Sequence, residues 1–267
     1  MLAARRRAEI MAQLERDGTV RVSDLVAVLG VSDMTVRRDL GVLHGHGMLE
    51  KVHGGATVRS EPSTAEPGFE AKSARQLAQK EAVAAAAAGL IAPGSAVAIS
   101  AGTTTHALAR HLVGIPDLTV VTNSFWVADV LYRAANPSWS VLLTGGLRTP
   151  SDALVGPIAI AALRSLHLDA VFMGVHGMEA RAGFSTPNLL EAETNRAMVA
   201  SGRRLILLAD STKWGVVGLS SMAELSDAAI VVSDTGLSTH ATKILSERID
   251  ELILVDPVTS EIDQAAH

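Results

Sequence analysis

Four segments each follow an apolar run and supply small polar groups where that run ends: Ser100-Ala101-Gly102-Thr103-Thr104-Thr105, Thr122-Asn123-Ser124, Thr144-Gly145-Gly146 and Asp210-Ser211-Thr212-Lys213. A glycine followed by hydroxyls at a helix start offers unpaired backbone N–H groups and the positive end of the helix dipole to an anion. Lys213 adds a full positive charge, and Asn123 with the threonines adds partners for sugar-type oxygens. Singly, each segment is ordinary capping or an ordinary turn. Four at corresponding positions suit one phosphorylated, hydroxyl-rich molecule, with Gly102, Thr103, Thr104, Thr105, Thr122, Asn123, Gly145, Gly146 and Lys213 as its candidate contacts.

A second set of residues suits a different chemistry. Ser32-Asp33-Met34-Thr35-Val36-Arg37-Arg38-Asp39-Leu40 reads as a helix that opens on a hydroxyl cap. Val36, Leu40 and Leu43 form its inward stripe. Asp33 and Arg37 share one exposed face, and Thr35 lies beside Arg38 on the next. Such a helix fits the DNA major groove: Arg37 or Arg38 reads guanine N7 and O6, and the other holds a phosphate. A solvated helix face would look the same, so the surrounding elements matter.

Those elements spell out a small reader. The spacing predicts a first helix over 3–16 with Ile10, Met11 and Leu14 inward, ended by Gly18. Residues 19–22 are β-like. Ser23 is expected to cap a second helix that buries Leu25, Val28 and Leu29, and Gly30 turns the chain into the third. Residues 49–52 and 56–58 then form two strands turned by Gly54-Gly55, a wing that sets Lys51 and His53 against the DNA backbone or minor groove. Ser32, Asp33, Thr35, Arg37, Arg38, Lys51 and His53 are thus the candidate DNA contacts.

Residues 59–75, rich in polar residues, proline and glycine, read as a linker between a 1–58 reader and a 76–267 body. Lys80 opens a helix through the alanine tract 84–88. Seven candidate strands follow, at 96–99, 119–121, 141–143, 170–173, 205–208, 230–232 and 252–254, alternating with helical patterns. This is α/β architecture with a mostly parallel sheet, whose ligands gather at the carboxyl ends of strands.

The reader segment resembles the helix-turn-helix of the DeoR family of bacterial regulators. The resemblance rests on Arg6 and Ile10, Val31-Ser32, Thr35 to Leu40 and His53-Gly54-Gly55-Ala56, with Lys51 where arginine is more frequent. The body resembles the DeoR-type sensor domain, a relative of ribose-5-phosphate isomerase whose members bind sugar phosphates. The matching residues are Gly102-Thr103-Thr104, Thr122-Asn123, Gly145-Gly146, Asp169, the loop 174–177, Glu191-Ala192-Glu193 and Asp210 to Lys213. Ser100 stands where an acidic residue is frequent, and His176 where a small or acidic one is, a loop position that makes His176 a further candidate ligand contact. The resemblance implies a regulator, most often a repressor of carbohydrate-metabolism genes, with duplex operator DNA and a phosphorylated sugar as partners. It implies no cofactor, no metal and no catalytic residue.

Composition agrees with that division of labour. The net charge of −5 argues against a nucleic-acid binder, but residues 1–60 hold 9 basic and 7 acidic side chains against 14 and 21 in the rest. Aromatic residues are only 3%, which speaks against base-stacking platforms for single strands. There is no cysteine, hence no disulfide or thiolate metal site. No apolar leader follows Arg5-Arg6-Arg7, and the run 82–92 is too short to span a bilayer. The expectation is a soluble, cytoplasmic homo-oligomer, a dimer or higher, on repeated half-sites. Two rival readings are weaker. An isomerase would use Glu191, Glu193 or Asp169 as base, but the loop 174–177 lacks the acidic cluster of the related enzyme. A metal-dependent regulator would need more than His44 with His46, or His106 with His111, whose i, i+5 spacing splays them around a helix.

Overall fold

The structure, a computed structural model, describes residues 3–45, 49–58, 63–66 and 68–257, and the chain divides into two compact units, 1–63 and 64–267. No described helix is long and apolar enough to cross a membrane.

In the first unit, helices α1 (Ala3–Asp17), α2 (Val22–Leu29) and α3 (Asp33–Gly45) surround a core of Ile10, Leu14, Leu25, Leu29, Val36, Leu40 and Leu43. Strands β1 (Thr19–Arg21), β2 (Leu49–Val52) and β3 (Gly55–Val58) form an antiparallel sheet in the order β1-β3-β2. Gly30, at φ +63, gives the left-handed turn between α2 and α3. Three expectations need correction. Helix α2 starts at Val22 after an uncapping Arg21, and the Ser23 hydroxyl donates to Asp24 instead. Val28 is exposed, because Val22, Leu25, Val26 and Leu29 already fill the inward stripe. The wing turns at His53-Gly54, while Gly55 opens β3 and pairs with Arg21. A Cβ on Gly55 would lie 2.0 Å from the Val20 carbonyl oxygen, so only glycine lets β1 approach there.

The second unit begins with α4 (Phe69–Ser73) and α5 (Leu77–Ala88), then β4 (Ala96–Ile99), α6 (Thr103–Arg110), β5 (Thr119–Thr122), α7 (Phe125–Ala134) and β6 (Ser140–Leu143). A two-stranded hairpin, β7 (Leu147–Arg148) and β8 (Leu154–Val155), leads to α8 (Pro157–Arg164) and β9 (Ala170–Gly174). Next come β10 (Gly177–Glu179), β11 (Gly183–Thr186), α9 (Leu189–Ser201), β12 (Leu205–Leu208), β13 (Ser220–Ala223), β14 (Ala228–Asp234), α10 (Thr239–Arg248) and β15 (Glu251–Val255). All seven sequence-predicted strands join one parallel sheet, ordered β15-β14-β12-β9-β4-β5-β6.

Both faces of that sheet are covered, as the continuous apolar runs require. Val97 and Ile99 pack with Val83, Leu108 and Leu131 of α5, α6 and α7. Ala98 and Val171 face Leu163, Met198 and Leu245 of α8, α9 and α10. In the alanine tract, Ala82, Ala84, Ala87 and Ala88 are buried, so small side chains let α5 lie close to α6 and the sheet. A second sheet, β10-β11-β13, had no counterpart in the sequence pattern. The linker reading also fails for 64–66 and 68–75, where α4 lies and Glu66, Phe69 and Lys72 bind residues of the second unit; its residues 59–62 and 67 lie outside the described residues.

Candidate functional site

On the first unit, the Ser32 hydroxyl accepts the Thr35 N–H at 3.3 Å and bonds the Thr35 hydroxyl at 2.9 Å, so α3 is capped as its sequence implies. Arg37 donates to Asp33 at 2.5 Å across one turn, with both side chains more than half exposed. That carboxylate raises the Arg37 pKa further above its ordinary value. Arg38 is exposed beside it, and Lys51 and His53 are exposed on the wing. Met34, 79% exposed at the helix start, is an apolar group the sequence reading passed over. A signal for it existed: it falls outside the Val36, Leu40, Leu43 stripe. The opposite face of α3 is held by Asp39, which accepts from Arg6 of α1 at 2.6 Å with both side chains nearly buried.

In the second unit, the sheet order sets the carboxyl ends of β6, β5, β4, β9 and β12 side by side. Gly102 (φ +155) precedes α6, with Thr103 half-buried and Thr104 buried at its first turn. Gly145 and Gly146 have φ of +71 and +118, and a Cβ on Gly146 would lie 2.4 Å from the Val155 carbonyl oxygen. Half-buried His176 donates its backbone N–H to the Ser185 carbonyl. Lys213 ends a 3-10 turn that the Asp210 carboxylate caps.

Three of the sequence-predicted contacts spend their polar groups inside the protein. Thr105 donates to the Gly102 carbonyl, Thr122 donates to Ile99 and accepts from Ser124, and Asn123 accepts from Ala101 and donates to Leu154. All three are essentially inaccessible. Their polar groups shape the loops. Asp169 likewise accepts the Ala96 N–H, and Ser100 accepts the Gly174 N–H.

What the sequence reading missed is a charged cluster beside these ends. Lys72 donates to the Ser151 hydroxyl at 2.9 Å. Lys80 donates to the Lys72 and Arg75 carbonyls at 2.5 Å each. Burial pushes the Lys80 pKa down to about 8; Lys213, Lys72 and Arg75 add to that, and Asp210 opposes it. Burial also lowers Lys72, against the pull of Glu191 and Glu66. Glu191 accepts from Thr149 at 2.8 Å and Thr186 at 3.0 Å, and burial, reinforced by Glu66, raises its pKa. Burial acts upward on Glu66 too, but bonds from Asn188, Ser151 and Glu191 outweigh it and hold that carboxyl low. The two carboxyls are thus held apart in proton affinity, Glu66 low and Glu191 high. Asp210 has one buried carboxylate oxygen with no hydrogen-bond partner in the protein.

Three of the four histidines of the metal reading are otherwise engaged. His111 bonds Glu81 at 2.7 Å, His106 meets the Phe69 ring edge-on, and His44 bonds the Leu49 carbonyl. His46 lies outside the described residues. Among the described residues, no group of three or more potential ligands converges on a metal position.

A capped, arginine-bearing helix with a wing, followed by a parallel α/β unit with a polar strand-end site, defines a ligand-responsive DNA-binding protein. Residues 6–61 match the family described as DeoR-like helix-turn-helix domain, and residues 75–235 match the DeoR C terminal sensor domain. The chain belongs to the DeoR family of transcriptional regulators. It is 36% identical over 252 residues to a putative aga operon transcriptional repressor of Escherichia coli O157:H7, covering 94% of this chain and 93% of that one. It is 35% identical over 227 residues to the lactose phosphotransferase system repressor of Staphylococcus aureus, covering 85% and 90%. Ribose 5 phosphate isomerase A from Neisseria gonorrhoeae superposes with a TM-score of 0.38 at 13% identity, over 51% of this chain and 53% of that one, a likeness too distant to carry an argument.

Proposed function

We propose that this protein is a repressor that grips duplex operator DNA with its winged helix-turn-helix and releases it when a phosphorylated sugar occupies the strand-end site. The observation that carries the reading is the pairing, in one chain, of an exposed arginine pair on a capped helix with a basic cluster beside strand ends. In this reading Arg37 or Arg38 contacts a guanine edge, and Ser32, Thr35, Lys51 and His53 position the unit on the backbone. The backbone N–H groups at Gly102 to Thr104 and the Lys213 ammonium hold the phosphate. Gly145-Gly146 and His176 border the sugar. The relatives named as repressors of the aga operon and of a lactose phosphotransferase system support a carbohydrate effector.

Release is a population shift: the effector binds one arrangement of the chain better and operator binds the other. Moving a population from mostly bound to mostly free takes about 5 kcal/mol of differential affinity. A doubly charged phosphate meeting a helix N-terminus and a lysine is of the right order for that. Reading repeated half-sites calls for a symmetric dimer or higher oligomer. The isomerase alternative places a free carboxylate over the substrate, yet both Glu191 oxygens accept threonine hydroxyls and Asp169 serves Ala96.

The test is a labelled fragment of the protein's own promoter at low ionic strength, titrated with a panel of phosphosugars chosen by thermal shift. Binding that one phosphosugar reverses is the expected result. No binding in either condition overturns the reading.

A further inference from the structure

The segment that leads from the end of the first unit into α5 is clasped to the β7–β8 hairpin turn and to the cap of α9. Glu66 stands three residues after Ser63, where the first unit ends. Its carboxylate accepts the Ser151 N–H at 3.3 Å, the Ser151 hydroxyl at 2.8 Å and the Asn188 amide at 2.9 Å. Asn188 is itself the cap of α9, accepting the Leu190 and Glu191 N–H groups, so the clasp is anchored on a rigid element. Six residues on, Lys72 reaches the same Ser151 hydroxyl. Between them Phe69 stacks on Trp126 of α7 at 5.3 Å and meets His106 of α6 at 5.5 Å. Helix α6 is the one that starts at Thr103, so this ring rests on the second turn of the proposed anion cradle.

Electrostatics link the clasp to the site. Lys213 lies near enough to lower the proton affinity of both Lys72 and Lys80, and Glu191 and Glu66 pull the other way on Lys72. An anion beside Lys213 gains most from a second ammonium, and the Lys72 ammonium donates to a neutral hydroxyl, that of Ser151. Drawing Lys72 away from Ser151 removes one of the two residues that fasten the segment there. The remaining residue, Glu66, then faces Glu191 without the positive charge that balanced the pair.

We propose that Glu66 and Lys72 form an effector-sensitive clasp, and that an anion seated beside Lys213 opens it by recruiting Lys72, freeing the segment that bears the DNA-binding unit. The proposal rests on the repressor reading above and names how its site is coupled to DNA. In an oligomer with two heads on two half-sites, an ordered tether raises the effective concentration of the second head, and a released one lowers it. Order to disorder of a connecting segment is an established kind of switch.

The full-length chain tests this without knowledge of the natural sugar. Amide hydrogen exchange of residues 68–75 and operator affinity are measured on the wild type, Glu66→Ala and Ser151→Ala, with no ligand. The expected result is at least tenfold faster exchange over 68–75 and at least tenfold weaker operator binding in both variants. In the wild type, millimolar inorganic phosphate is expected to speed the same amides, and Lys213→Ala to abolish that response. Ser151→Ala removes the partner rather than the carboxylate, so it decides the matter should Glu66→Ala fail to fold. Faster exchange with operator affinity unchanged within twofold overturns the coupling. Unchanged exchange overturns the clasp, and so does a phosphate response that survives Lys213→Ala. A wild type that ignores its operator refutes the repressor reading instead, a separate outcome.

Discussion

Asp39→Ala is expected to disable the DNA-binding unit while leaving the second unit intact. Asp39 accepts from Arg6 at 2.6 Å, with the two side chains only 7% and 12% exposed. Deleting one partner of a buried ion pair costs about 3–5 kcal/mol, because the other charge stays in a poorly solvated place. A unit of 63 residues, at roughly 0.05–0.15 kcal/mol per residue, has about 3–9 kcal/mol in all. The loss is therefore comparable with the whole stability of the unit. All three tryptophans, Trp126, Trp139 and Trp214, lie in the second unit, so tryptophan emission follows that unit alone, and far-UV circular dichroism follows both. Asp39→Ala should show a new low-temperature dichroism transition, an unchanged emission melt and lost operator binding at 37 °C. Since buried pairs are often neutral when replaced by apolar ones, Arg6→Met with Asp39→Leu should recover most of the loss. An Asp39→Ala protein that melts in one step at the wild-type temperature and binds operator normally would refute the argument.

Further outcomes follow from the two sites. Arg37→Ala should weaken operator binding tenfold or more and blur preference at one base pair; a loss equal on all sequences would make Arg37 a phosphate contact. Lys213→Ala should keep operator affinity in gel shifts while blunting release by the phosphosugar, and loss of both would indicate a folding role. Lys80 should give an unusual pH slope. Its pKa is depressed to about 8 when folded, so the unfolded chain binds more protons between about 8 and the ordinary lysine value of 10.5. The penalty of holding it charged is complete below 8 and fades as pH rises through that window, so its contribution to stability grows with pH. Subtracting the Lys80→Met melts from the wild-type melts between pH 7 and 10 should expose that slope; parallel curves would mean Lys80 is not desolvated as described.

The parallel sheet was legible because its strands are long apolar runs, Val97 to Ile99 and Leu205 to Leu208 among them, that need no partner to be recognised. The second sheet was not. Gly177 to Glu179, Gly183 to Thr186 and Ser220 to Ala223 are short and rich in glycine or serine, and their pairing depends on close approaches such as Gly177 to the Val216 carbonyl. Capping at Ser32 was readable from local chemistry, whereas Arg6 with Asp39 pairs residues 33 positions apart. The candidate ligand site divided in the same way. Glycines and hydroxyls at strand ends announced themselves, but a sequence does not say which hydroxyls face inward, so Thr105, Thr122 and Asn123 looked like contacts. Glu66 and Lys72 escaped notice because a proline- and glycine-rich stretch resembles a linker until its partners, 79 to 122 positions away, are known.

The inward use of Thr105, Thr122 and Asn123 has an evolutionary corollary. If the strand ends hold the effector as proposed, rim architecture and cargo preference reside in different side chains, and drift at the few outward positions would retarget the protein to another metabolite while its frame survives unaltered. Relatives answering to unlike nutrients would then be expected to agree at those three inward positions and to diverge around His176 and the Gly145-Gly146 border.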